Sequence, residues 1–154
     1  KPEFAGSHFN LCGGGIENSV VPELPVYAPQ LYHTLHAAMK QQLVRSCHDL
    51  SEGGLSVSLA EMCIGGRLGC DISLGDTHAI TALFSESNGR LLVEIKPEHK
   101  AVFEKLFADA GLSQLIHSLG KVINEPTMKV KNLLALPVEK LVAAWQKPNF
   151  GVFA

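Results

Sequence analysis

The chain has 154 residues and a mass of 16.6 kDa, the length of one ordinary domain with enough chain to bury a real core. Hydrophobic residues make up 46% and charged residues 18%, and a net charge of −2 excludes both a disordered charged arm and a basic nucleic-acid footprint. No apolar run reaches the length of a membrane span and Lys1-Pro2-Glu3-Phe4 does not read as a signal peptide, so the expected setting is cytoplasmic, with no nucleic-acid and no membrane partner.

Residues 1–30 carry few periodic signals and read as a lead-in segment or linker, with room for a short strand. Gly13-Gly14-Gly15, Pro22, Pro25 and Pro29 punctuate them. The triple glycine is not followed by Gly-Lys-Ser/Thr, so it reads as linker rather than as a phosphate cradle. Over 30–44, Leu31, Leu35, Ala38, Met39 and Leu43 recur at helical spacing. His33 and His36 fall on or near that helix without an acidic partner and read as surface histidines. A short strand ends near Asp49, a glycine turn follows, and a helix runs from about Gly53 to Ile64 with Leu55, Leu59, Met62 and Cys63 as its buried stripe. Gly65-Gly66 is expected to stop it. Gly69 to Leu74 alternates as a strand, and Leu91 to Ile95 is a second. Pro97 opens a helix carrying Val102, Phe103, Leu106 and Phe107, which ends at Gly111. Leu115–Ile123 and Met128–Lys131 read as strands around Asn124-Glu125-Pro126, and Pro137 opens a last helix through Trp145. The order predicts an α+β sandwich: one mixed sheet with helices packed on it, a domain over 31–147, and a loose tail over 148–154.

The cysteines, Cys12, Cys47, Cys63 and Cys70, make no C-x-x-C pair and read as buried, reduced thiols rather than a metal site. Glu61 and Glu94 read as solvent-facing charges. Two clusters remain. Asp49 sits where a strand hands over to a helix, and backbone N–H groups at a helix start favour phosphate. An aspartate beside them can hold Mg²⁺ against that phosphate. Equally, Asp49 or Ser51 can cap the helix, and on spacing alone the cap is the simpler reading. Ser85-Glu86-Ser87-Asn88 packs donors and acceptors before a strand, as a ribose- or amide-binding patch would and as an ordinary polar turn also would.

The run Leu43 to Leu55, containing His48-Asp49-Leu50-Ser51-Glu52-Gly53-Gly54, and then Leu59-Ala60-Glu61-Met62, closely resembles the phosphoribosylformylglycinamidine synthase family, which reads H-D-x-S-[DE]-G-G-L and L-A-E-M. Leu83-Phe84-Ser85-Glu86-Ser87 resembles its L-F-S-E-S motif. Gly6-Ser7-His8, Leu119-Gly120-Lys121-Val122 and the stretch Pro137-Val138 to Trp145 are similar to its weaker terminal motifs, with Ala5 in place of a glycine. The resemblance implies an aminoimidazole ribonucleotide synthetase-like C-terminal domain. It implies part of an ATP-dependent carbon–nitrogen ligase that turns formylglycinamide ribonucleotide into its amidine in purine biosynthesis. It also implies ATP or ADP and Mg²⁺ in the full-length enzyme, the N-terminal domains of the same synthetase as partners, and a glutaminase subunit that delivers ammonia. On this basis Asp49 is the metal ligand, Gly53 and Gly54 contact nucleotide phosphate, and Glu86, Ser87 and Asn88 contact substrate. No residue of this chain is assigned to catalysis. The catalytic copy of the domain usually reads D-x-G-A-[AG]-G and E-S-Q. The forms here resemble the second, non-catalytic copy, whose cleft holds a structural nucleotide. A structural or interaction domain without turnover, or a related synthetase or kinase of the superfamily, is the alternative.

Overall fold

The strands expected before Asp49 and before Pro97 form, and they pair with each other. A computed structural model describes residues 1–147; the tail expected over 148–154 lies outside the described residues. The chain divides into two compact units, residues 1–58 with 78–118, and residues 59–77 with 119 onward.

The first unit opens with a short helix, α1 (His8–Leu11), whose N-cap Ser7 accepts the Asn10 N–H. Within the expected lead-in, Asn10 closes the following loop by donating to the carbonyls of Phe4 and Ile16 and accepting the Ile16 N–H. Phe4 is buried and its ring lies 5.5 Å from that of Phe9. Next comes α2 (Ala28–Lys40), with Pro29 in its first turn, where a missing N–H costs nothing. Its buried face is Leu31, Thr34, Leu35 and Ala38. Gln42, in left-handed backbone geometry, turns the chain into β1 (Val44–Asp49). This strand pairs antiparallel with β3 (Leu91–Ile95), and a bulge between Val44 and Ser46 shifts its phase. Because of that shift both Val44 and Cys47 pack on the core of this unit, beside Leu91, Val93 and Ile95. The same core takes Phe103 and Phe107 from α5 (Lys100–Asp109). A 3-10 turn over Pro97–His99 precedes α5, and Gly111, at positive φ, follows it. Between the strands lies α4 (Ala79–Phe84), which the sequence reading did not anticipate.

The second unit holds the mixed sheet. Its strands are β2 (Gly69–Ile72), β4 (Gly120–Ile123), β5 (Thr127–Val130) and β6 (Leu134–Pro137), in the order β4-β2-β5-β6. β2 runs antiparallel to β4 and parallel to β5, and β5 antiparallel to β6. Thus the strands on either side of Asn124-Glu125-Pro126 do not pair; β2 lies between them. Cys70 and Ile72 sit beside Met128 and Val130 in the register, and all four are buried. The final helix, α6 (Val138–Gln146), starts one residue after Pro137, and the Val138 N–H donates to the Pro126 carbonyl. The helix α3 (Gly54–Gly66) begins in the first unit and continues into the second from Leu59; it includes Gly65 and Gly66, so the stop falls at Arg67, whose φ is positive. The α+β class with a mixed sheet stands; the strands divide between that sheet and a separate β1–β3 ribbon.

Candidate functional site

Three of the sequence motifs meet at one oxygen. Glu86 follows α4, and its Oε1 accepts the backbone N–H of His8 at 2.9 Å and that of Gly53 at 2.8 Å. The His8 imidazole Nδ1 lies 3.9 Å from the same oxygen. A single carboxylate therefore joins the Gly6-Ser7-His8 turn, the acid–glycine turn and the Ser85–Asn88 loop, all within the first unit. The Glu86 side chain is only 16% exposed, so these charge-assisted bonds form largely away from water.

The turn that leads into the helix is held by that carboxylate rather than by the Asp49 side chain. Gly53 and Gly54 both sit at positive φ, 78° and 61°. A Cβ on Gly54 would lie 2.8 Å from the Ser85 carbonyl oxygen and 2.9 Å from that of Leu83, so only glycine fits here. The Gly53 N–H is held by Glu86, and the Gly54 N–H donates to the Ser51 carbonyl. Helix α3 begins at Gly54, beyond the reach of an Asp49 side-chain cap, which bonds only the second or third residue after itself. Asp49 is instead fixed by its backbone. Its carbonyl accepts the Ser58 hydroxyl at 2.7 Å and lies 2.7 Å from His48 Nδ1. Since a carbonyl only accepts, Nδ1 carries the proton in this arrangement. The Asp49 carboxylate is 67% exposed, with His48 Nδ1 3.5 Å from Oδ1.

The polar cluster of Ser85 to Asn88 turns its side chains onto the chain itself. Ser85 Oγ donates to the Lys1 carbonyl at 2.9 Å, so Ser87 is the donor in the buried Ser85–Ser87 pair at 2.8 Å. The Asn88 amide donates to the Pro22 carbonyl at 3.1 Å. Arg90, which the sequence reading did not single out, braces this loop from below. Its guanidinium donates to the carbonyls of Ser85 at 2.7 Å and Ala82 at 2.9 Å, a cation at the C-terminal end of α4. Burial pushes the Arg90 pKa below its ordinary value, and the neighbouring Glu3 acts in the opposite sense. The presence of an arginine shortly after a predicted polar turn was the available signal, but its target carbonyls depend on α4.

Elsewhere the thiols differ from the expectation of uniform burial. Cys63 and Cys70 are buried, Cys47 is half-buried and Cys12 is exposed; all four are free. Cys63 and Cys70 hydrogen-bond through their side chains, which with burial pushes the Cys63 thiol far up; the same bond holds Cys70 down against the effect of burial. Glu94 is not a solvent-facing charge: it accepts the Ser46 hydroxyl at 2.9 Å and pairs with Arg45 at 3.5 Å. Among the described residues no group of three His, Cys, Asp or Glu side chains converges as a metal site.

Residues 13–131 match the family model described as AIR synthase related protein, C-terminal domain. The phosphoribosylformylglycinamidine synthase subunit PurL of Lactobacillus helveticus is 41% identical over 133 residues, 84% of this chain and 17% of that protein. The PurL of Thermobifida fusca is 48% identical over 81 residues, 53% of this chain and 10% of that protein. The chain thus spans less than a fifth of the curated relatives it matches. Among solved structures, PurLQS from Thermotoga maritima superposes with a TM-score of 0.69 at 23% identity, covering 83% of this chain and 23% of the other. The complex of T. maritima PurL with ATP gives a TM-score of 0.62 at 24% identity, covering 73% and 21%.

Proposed function

The chain belongs to the AIR synthase related protein, C-terminal domain family, and from that premise we propose that it is the C-terminal domain fragment of a phosphoribosylformylglycinamidine synthase, drawn from the second, non-catalytic copy. One observation carries the non-catalytic assignment. Glu86, Ser87 and Asn88, the positions expected to meet substrate, spend their side chains on Gly53, His8, Ser85 and Pro22 of the same chain. Such a loop holds shape rather than offering open donors to a ligand.

In the whole synthetase, ATP would phosphorylate the amide oxygen of formylglycinamide ribonucleotide. Ammonia would then add at that carbon, and phosphate would leave with the amide oxygen to give the amidine. Positioning and charge stabilisation dominate such phosphoryl transfers. The catalytic groups belong to the N-terminal domains, and the ammonia to a glutaminase partner; the assembly name PurLQS of the solved relative agrees with a multi-subunit enzyme. The setting is cytoplasmic.

This chain's contribution is a nucleotide-facing edge at Asp49. Its exposed carboxylate is a hard oxygen donor suited to Mg²⁺, with the remaining ligands supplied by phosphate oxygens and water. Mg²⁺ held there would offset the charge of a nucleotide phosphate. The solved PurL complexes with ATP and ADP support a nucleotide for the fold. The amides of Gly53 and Gly54 are engaged within the turn, so in this conformation they serve its shape.

An amidine assay tests the fragment reading. The chain alone, given formylglycinamide ribonucleotide, ATP and ammonia, yields no amidine, and turnover by pure chain would overturn the proposal.

A further inference from the structure

The Glu86 side chain bonds two of the motif turns at once. Its Oε1 takes the His8 N–H and the Gly53 N–H, which come from segments far apart in sequence. Gly53 is the residue directly before α3, and the Asp49 carboxylate projects from the other end of the same short turn. One acceptor atom takes both donors, so its reach and direction decide whether the two bonds form together.

We propose that Glu86 is the positioning residue of the acid–glycine turn: it locks the His8 turn against Gly53 through one acceptor oxygen and so holds the Asp49 edge in place for a nucleotide. This deepens the nucleotide reading given above and rests on it. Glutamine keeps the acceptor oxygen at the same length and loses the charge. Aspartate keeps the charge but is one methylene too short to reach both amides. Alanine removes both. A direct electrostatic contact with ligand would rank aspartate above glutamine; a positioning acceptor ranks glutamine above aspartate.

The experiment has two arms. Amide hydrogen exchange by NMR is read at His8 and Gly53 in the 154-residue chain. Glu86→Gln keeps both amides slow, while Glu86→Asp and Glu86→Ala speed both together, by about tenfold or more, as expected when the acceptor no longer reaches the two N–H groups. Calorimetry then measures Mg²⁺–ADP binding to the chain joined to its matching N-terminal domain. Glu86→Gln stays within about twofold of wild type, and Glu86→Asp and Glu86→Ala weaken binding about tenfold. If Glu86→Gln weakens binding as much as alanine while both amides stay slow, Glu86 is a direct contact and the proposal fails. It also fails if the amides respond separately, or if they speed up with no change in affinity. Absence of binding by wild type overturns the nucleotide reading itself and with it the positioning role. That failure is told apart from the others, because the paired response of the two amides does not depend on ligand.

Discussion

Asp49 and Glu86 flank the same turn in opposite surroundings. Glu86 is largely buried and accepts two backbone N–H groups, one from each of two turns. Asp49 has its carbonyl pinned by Ser58 and His48, while its carboxylate faces solvent. Burial and satisfied bonds make a carboxylate expensive to remove; exposure and weak pairing make it cheap. On this view the first carboxylate is there for architecture, and the second is available for a ligand.

Substitutions can break that comparison in order of size. Gly54→Ala should be the most damaging, costing roughly 3 kcal/mol, because positive φ and two facing carbonyl oxygens both oppose a side chain. Glu86→Ala should cost about 2 kcal/mol, since two charge-assisted bonds are lost in a mostly buried place. Denaturant midpoints measure both, and a loss under about 0.5 kcal/mol for Glu86→Ala would erase the contrast with Asp49. Gly65→Ala acts the other way. It lies inside α3 with open space around its Cβ position, so alanine should stabilise by roughly 0.5–1 kcal/mol.

A smaller effect comes with pH. Burial first, then the charge of Asp49, raises the Cys47 pKa above its ordinary 9.0. Because the folded pKa is raised, the contribution to stability is full below the unfolded value and is lost as pH climbs past 9 toward the folded value. The melting temperature should therefore decline in alkaline solution, and Cys47→Ser should make the decline shallower. An unchanged slope in that variant would assign the decline to other groups.

The sequence was most informative where apolar spacing and glycine act locally. Leu31, Leu35 and Ala38 marked α2, and the strand before Asp49 and the helix after Gly53 could be read directly. Elements held by distant partners were harder to see. α4 is six residues long and its end is held by Arg90; β6 ends at Pro137, which by itself reads as a helix start. The insertion of β2 between β4 and β5 is a non-local pairing that element order does not encode. At the site, the motif stretches do come together, but their spacing did not show which carboxylate holds the Gly53 turn. Asp49 is near in sequence and Glu86 is not, and chain folding brings Glu86 to Gly53.

In the proposed arrangement Asp49 faces ligand while Glu86 holds the turn. Calorimetry of ADP binding to wild type and Asp49→Asn, each joined to the matching N-terminal domain, with and without Mg²⁺, tests it most directly. The two proteins should have unfolding free energies within about 0.5 kcal/mol of each other, as for an exposed side chain. Mg²⁺-dependent binding should be weakened about tenfold in Asp49→Asn, the loss of one charged metal ligand. Equal affinities for the two proteins in the presence of Mg²⁺ would contradict that arrangement.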